Sequence, residues 1–337
     1  MKMNSENLNG RSNVTKKVFI IFLSLLFVFS GTLLLFAGKG GGKKEEKLKI
    51  GFSVLDLTNP YWNTQVKGAE AKAAEFGNIE LIIHDGQSDP AREINALENW
   101  ITQGVDGIMI SAIDSLACVP YVKRAQEKGI PVVATIHPLE GADAWLKLDE
   151  YTFGHMSGLE AGKWIRDKLG GRAKCAILAY DELKHVIDRS DGIRDGIMEM
   201  APNAQIVVRQ DAYLPDMGMK IAEAALQAHP DLKVIQGIND SGALGAYEAV
   251  RAAGKDTPDF WVGGNDATHE ALEKIKEGGI YRCSVDIAPY QSGQLEVEMM
   301  MKLINGEEFE RVQIVPMTAV TIDNVDEYLK RFEDLKK

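Results

Sequence analysis

Cysteine is scarce in this chain: Cys118, Cys175 and Cys283 are the only three in 337 residues. They form neither a CxxC pair nor a zinc-finger spacing, and an odd number gives no closed disulfide framework. Cys175 and Cys283 fall within the apolar runs AKCAILAY and YRCSV. They read as small buried thiols, with a disulfide or a reactive thiol as the alternative. Basic residues are also in deficit, 38 Lys and Arg against 49 Asp and Glu, for a net charge of −11. The first 38 residues are themselves cationic, so the remainder is more acidic still. Such a surface repels phosphate backbones, and no dense Lys/Arg stripe overrides it, which excludes nucleic acid as a partner. The chain has no GxxxxGK[ST] phosphate loop. Gly158–Lys163 (GLEAGK) has the wrong spacing and falls inside a helical pattern. No GxSxG elbow occurs, and His84, Asp85 and His185 lack metal-ligand spacing. An enzyme is therefore not expected, nor any cofactor or metal.

What the chain does have begins with an apolar stretch. Residues 18–37 carry no charge and follow Lys16 and Lys17, the pattern of a secretory signal. Twenty helical residues reach about 30 Å, so the segment is also long enough to remain as a membrane anchor. The small-residue rule for cleavage is poorly met by Leu35 and Phe36. The following LLFAGKGGG looks like a bacterial lipoprotein junction with Lys39 standing where the lipidated cysteine would be. Residues 1–38 are thus expected to be a signal peptide or an anchor, and 39–47 a linker. Export is expected, to the periplasm or the outer face of the cytoplasmic membrane.

From Leu48 onward, strand-like and helix-like patterns alternate. Apolar β-rich runs stand at 48–55, 79–84, 105–111, 130–136 and 145–149, and a second series at 173–180, 205–213, 234–239, 259–266 and 281–286. Pro60, Pro90 and Pro215 mark first helical turns, while Gly77, Gly129, Gly254 and Gly278 stand where helices stop. Trp62, Val66, Ala69, Ala73 and Phe76 recur at steps of three and four, a single buried stripe. Near-continuous apolar strands alternating with amphipathic helices specify parallel sheets covered on both faces. Two such series predict an α/β fold of two doubly wound parallel-sheet lobes, with a single barrel as the structural alternative.

In open parallel sheets a ligand binds beyond the carboxyl ends of the strands. The residues there are Asp56, Asn59, Asp114 and His137 in the first series. Tyr213, Asn239, Asp240, Asn265, Asp266 and Asp286 follow in the second. Carboxylates and amides in this number suit a neutral ligand rich in hydroxyls. Each acid taken singly reads equally well as a helix cap or an Asx-turn.

Several phrases together resemble the ribose-type (pentose and hexose) periplasmic binding proteins that feed ABC importers. They are Thr58-Asn59-Pro60-Tyr61-Trp62, Asp149-Glu150-Tyr151 with Gly154 and Gly158, and Asp188-Arg189-Ser190-Asp191-Gly192. Further along come Ala228-His229-Pro230-Asp231, Gly237-Ile238-Asn239-Asp240, Ala243-Leu244-Gly245-Ala246 and Gly263-Gly264-Asn265-Asp266. The resemblance covers roughly residues 48–310 and implies the type I fold of that family, two lobes joined by a three-strand hinge. One lobe would hold 48–148 and 287–314, the other 149–286 and 315–337, with crossings near 148–150, 284–288 and 312–318.

The resemblance also implies roles. Trp62 and Tyr213 would stack on the two faces of a sugar ring, with Tyr61 beside Trp62, although Trp62 also lies on the apolar stripe of its helix. Asn59 would act from the rim of one lobe, and Arg189, Asn239 and Asp266 would line the other. Asp114, His137, Asp149 and Asp286 complete the candidate set. This chain departs from the family pattern at ligand-contacting places. It has Ile136-His137 in place of an Asp-Arg pair, Ser111 in place of Asn, Glu150 in place of Asn and Asp286 near a usual Gln. The ligand expected is therefore a small neutral polyol or monosaccharide other than ribose, with His137 either a hydrogen-bonding substitute or a loop residue.

The implied partner is an ABC permease, and the chain is expected to be a monomer. The alternative is a receptor presenting the same ligand to a chemotaxis or sensor-kinase partner. A LacI-type repressor shares such a core but needs an N-terminal helix-turn-helix, where this chain has an apolar segment.

Overall fold

A computed structural model describes residues 47–334 of the chain. The signal or anchor read at 1–38 lies outside the described residues, as do all but the last position of the linker and the final three residues. The chain first lays down β1 (Leu48–Val54), α1 (Pro60–Phe76), β2 (Ile79–Asp85), α2 (Pro90–Gln103), β3 (Gly107–Ile110), α3 (Ser115–Glu127), β4 (Val132–Ile136) and β5 (Ala144–Lys147). It then builds α4 (Glu150–Lys168), β6 (Lys174–Ala179), α5 (Ile187–Met200), β7 (Gln205–Asp211), α6 (Pro215–Ala228), β8 (Leu232–Gly237), α7 (Asp240–Ala252), β9 (Trp261–Gly263), α8 (His269–Lys276) and β10 (Tyr281–Asp286). The closing elements are α9 (Pro289–Ile304), β11 (Val312–Ile314), β12 (Thr318–Val320) and α10 (Val325–Asp334).

Two open six-stranded sheets result, in the orders β11-β5-β4-β3-β1-β2 and β12-β10-β9-β8-β6-β7. All pairings are parallel except β10 with β12. The architecture is the two-lobed doubly wound one, not a single barrel. The chain passes from one sheet to the other after β5, after β10 and between β11 and β12. Strands β11 and β12 and helix α10 follow the last strand run legible in the sequence.

Alternation along each strand explains the layers. In β3, Met109 joins an apolar layer with Ile50, Phe52, Val66 and Val297 of β1, α1 and α9. Its neighbours Ile108 and Ile110 point to the other face, against Leu97, Trp100, Ile101 and Val122 of α2 and α3. The second sheet repeats this: Ile177 packs with Ile165, Ile193 and Ile197. Ala176 and Leu178 face Leu226, Val250 and Leu272 on the other side. Strands buried on both faces need apolar side chains at nearly every position, which is what the sequence shows. The three thiols are free and buried, as small apolar side chains would be.

Helices α4 and α5 touch backbone to backbone. A Cβ at Gly154 would run into the carbonyl oxygen of Arg189, one at Gly158 into that of Ile193, and one at Gly192 into that of Tyr151. Since the contact atoms are main chain, no rotamer change relieves them. Gly154→Ala is therefore expected to cost about 2 kcal/mol or more through forced separation of the helices. The check is a chemical-denaturation midpoint, and an unchanged midpoint would refute the close-packing account. The same contact fixes the height at which Arg189 leaves α5.

Candidate functional site

A cleft of about 1000 Å³ opens among the carboxyl ends of β4, β9 and β10 and the first turns of α1 and α9. Asn59, Tyr61, Trp62, Asp266 and Asp286, five of the expected ligand residues, line it. Backbone conformation marks the same place. Of six described non-glycine residues with positive φ, four line the cleft: Ile136 at 56°, Asp266 at 101°, Ala267 at 48° and Ala288 at 43°. Such conformations cost free energy in L-residues and persist where surrounding structure holds them, commonly at ligand sites.

Asn59 caps α1, its side chain accepting from the Tyr61 N–H at 2.9 Å. The cap turns the first helical residues toward the cleft, and Tyr61 and Trp62 meet edge to face with ring centroids 4.7 Å apart. Trp62 serves both expectations. It is only 6% exposed and packs in the core layer of its lobe, yet part of its ring forms the cleft wall. His137 follows the left-handed Ile136, keeps Nδ1 3.2 Å from the Ala112 carbonyl oxygen, and places its ring 6.5 Å from that of Trp62. Burial raises the Tyr61 hydroxyl's pKa, and the carboxylates of Glu296 and Asp286 add to the effect.

The second lobe contributes a linked polar group. Arg189 donates from Nε to Glu150 at 2.6 Å and from Nη1 to the Ile238 carbonyl at 2.9 Å, its guanidinium lying 4.5 Å from the Phe153 ring centre. Asn239 caps α7 through Gly242 N–H and donates to the Tyr213 carbonyl at 3.0 Å. Tyr213 stacks on Tyr180 with centroids 3.8 Å apart. Asp266 opens to the water of the cleft but is crowded by protein. Desolvation raises its pKa despite the opposing Arg189, and the nearby carboxylates of Asp240 and Glu150 raise it further.

Asp240 is fully buried and binds Tyr281 Oη, Ser284 Oγ, and both the N–H and Oγ1 of Thr268 at 2.7–3.0 Å. It thereby anchors the loop that carries Asp266. Asn265 is likewise internal, donating to the Gly237 carbonyl and Ser157 Oγ. Asp286 accepts from its own loop at Ala288 N–H (3.1 Å) and faces Arg331 at 3.8 Å. Burial lifts its pKa to about 6 against the pull of that arginine.

The other six expected residues, Asp114, His137, Asp149, Arg189, Tyr213 and Asn239, are not among those lining this cleft, and two of them are simple caps. Asp114 caps α3 through Ala117 N–H and is exposed, and Asp149 caps α4 through Thr152 N–H and pairs with Lys147 at 3.1 Å. Both make the helix-capping contact that a single acid at a strand-to-helix junction commonly makes. Arg189 and Asn239 bind the backbone of Ile238 and Tyr213 respectively, and the charge of Arg189 acts on Asp266, lowering its pKa against the effect of burial. Sequence reasoning missed the lining residues Thr268, His269, Tyr328, Arg331 and Phe332. The last three share one face of α10 by their 3–4 spacing, but nothing local in the sequence places that helix at the cleft.

Two facing α/β lobes with aromatic and acidic side chains converging between them define a protein that holds a small molecule at a hinge. Residues 50–308 match the periplasmic binding protein domain family, and the chain belongs to that family. It is 32% identical over 285 residues to the ribose import binding protein of Bacillus subtilis, covering 83% of this chain and 89% of that protein. Among solved structures, an ABC transporter solute-binding protein of Bacillus halodurans with bound myo-inositol aligns at TM-score 0.70 and 27% identity. That alignment covers 86% of this chain and 99% of its own. A periplasmic ribose ABC transporter protein of Conexibacter woesei aligns at TM-score 0.76 and 25% identity, over 88% and 100% of the two chains.

Proposed function

We propose that this chain is an extracytoplasmic solute-binding protein that captures a small polyhydroxylated ligand, a monosaccharide or cyclic polyol, and delivers it to an ABC importer. The observation that carries the reading is the cleft itself, in which Asn59 and Trp62 from one lobe meet Asp266 and the hinge residue Asp286 from the other side. The apolar C–H face of a sugar ring lies against Trp62, with Tyr213 as the opposing wall. Its edge hydroxyls donate to the carboxylates of Asp266 and Asp286 and meet Asn59, Asn239 and Arg189. The relatives that bind ribose and myo-inositol support this ligand class.

A ligand touching both lobes stabilises the closed arrangement in proportion to its differential contacts, and the closed form is what a permease recognises. Micromolar affinity requires about 8 kcal/mol, within the reach of two aromatic walls and several hydrogen bonds. Transport energy comes from the partner.

A thermal-shift panel of pentoses, hexoses, polyols and inositols on the full chain tests this. A ligand present at about 100 times its Kd adds about 2.7 kcal/mol to the folded state, a shift of several degrees. In Trp62→Ala, affinity for that ligand is expected to fall about 10-fold or more with loss of the ligand-dependent fluorescence change. Silence of the entire panel would overturn the proposal, and unchanged affinity in the variant would return Trp62 to a purely packing role.

A further inference from the structure

We infer that Glu150, the first residue of α4, sets the charge that the cleft accepts in a ligand. It holds and neutralises the Arg189 guanidinium, and thereby disfavours sugars and polyols that carry a carboxylate. Glu150 acts through Arg189 and is a positioning residue. The inference rests on the polyol reading and names a residue that decides which polyols bind.

Two helices that start side by side build the pair. Glu150 opens α4 directly after the chain leaves the first sheet, and Arg189 lies in the first turn of α5. One turn after Glu150, a Cβ at Gly154 would strike the Arg189 carbonyl oxygen, so the two main chains touch at this height. The Glu150 carboxylate accepts from Arg189 Nε at 2.6 Å, and the two side chains are only 17% and 11% exposed. An ion pair shielded to that degree is little weakened by salt. Arg189 Nη1 donates to the Ile238 carbonyl at 2.9 Å, and the guanidinium lies over the Phe153 ring, 4.5 Å from its centre.

Both charges of the pair are felt in the cleft. Burial raises the pKa of Asp266, a lining residue; Arg189 opposes that rise, while Asp240 and Glu150 add to it. An amide at position 150 would accept the same Nε–H bond and keep the guanidinium in place, so geometry alone does not call for a carboxylate there. What the carboxylate adds is its charge. A ligand carboxylate drawn to Arg189 meets a guanidinium already paired, and it gives up its own water for a shared counter-ion. A hydroxyl carries no charge and is indifferent to that competition. Lys67, Glu70, Asp286 and Arg331 also line the cleft, and their charges stay the same when position 150 is varied. A change in ligand selectivity at that position therefore reports Glu150.

Calorimetric titration of the full chain with matched pairs tests the idea. Each pair sets a neutral sugar or polyol beside the acid in which its terminal CH2OH is a carboxylate, as in D-glucose with D-glucuronate and ribitol with D-ribonate. In Glu150→Gln, the ratio of acid to parent affinity is expected to rise about 10-fold or more over wild type, the weight of one charge-assisted hydrogen bond. Glu150→Asp keeps the charge and is expected to keep the wild-type ratio. Adding Arg189→Gln to Glu150→Gln is expected to abolish the gain. Glu150→Asn gives a second reading of the ratio should the first variant fold poorly. Three results would overturn the inference and leave the polyol reading standing: a ratio unchanged in the amide variants (acids undetectable in both proteins included), an equal rise in Glu150→Asp, or a gain that survives the loss of Arg189. Binding by no neutral parent would overturn the polyol reading itself.

Discussion

Asp266→Asn is expected to lower affinity for the cognate ligand about 100-fold, which is about 3 kcal/mol, while leaving the unliganded melt unchanged or slightly higher. The affinity loss follows from replacing a carboxyl that ligand hydroxyls can ionise and donate to by an amide with one acceptor, in the loop that follows β9 and lines the cleft. The unliganded protein loses nothing comparable. In the free cleft the charged form of Asp266 is opposed by desolvation and by Asp240 and Glu150, so a neutral side chain relieves rather than breaks contacts. Asparagine also tolerates the φ of 101° that the position imposes, whereas alanine there would add strain unrelated to binding. Titration calorimetry and thermal melts of the variant decide the matter. A large fall in the unliganded melt would make Asp266 a structural residue, and unchanged affinity would remove it from the site.

A second large effect is expected from Glu296, and it concerns pH. This carboxyl is fully buried on α9 under the first turns of α1, where it accepts hydrogen bonds from Thr135 Oγ1 and Gln65 Nε2. Burial raises its pKa to about 8, and those two donors lower it only in part. The folded protein therefore keeps a proton on Glu296 that the unfolded chain releases near pH 4.5. Below about pH 4.5 both states are protonated and the group contributes no pH dependence. Between there and about pH 8 the native state binds more protons than the unfolded state, so stability falls as pH rises, by at most about 5 kcal/mol. Glu296→Gln removes the titrating proton while keeping the shape. Its melting temperature is expected to match wild type near pH 5 and to exceed it by several degrees near pH 8.5. Parallel pH profiles for the two proteins would rule the account out.

The Glu296 case also shows where sequence legibility ends. A glutamate in the pattern PYQSGQLEVEMM reads as a solvent-facing helix residue, because nothing local reveals that α9 crosses back to the first sheet and packs against α1. The strand-end acids divide in the same way. Asp114, Asp149 and Asp266 all stand at strand-to-helix junctions, and in sequence they are equivalent. Two of them cap helices, and the third lines the cleft because Asp240 and the left-handed pair Asp266-Ala267 turn its loop inward. Trp62 was ambiguous for a geometric reason: a ring on the first turn of a buried stripe has an edge in the core and an edge at the strand ends.

Local chemistry was enough to set the alternation of strands and helices and the helix starts at Pro60, Pro90 and Pro215. These depend on the propensities and periods of neighbouring residues, which any stretch of chain carries within itself. Tertiary structure alone decided which acids face a ligand, that α10 brings Arg331 to the cleft wall, and that Arg189 divides its donors among partners 39 and 49 residues distant. Those outcomes depend on which sheet edges and helix faces meet, a long-range competition for burial that no short window of sequence encodes.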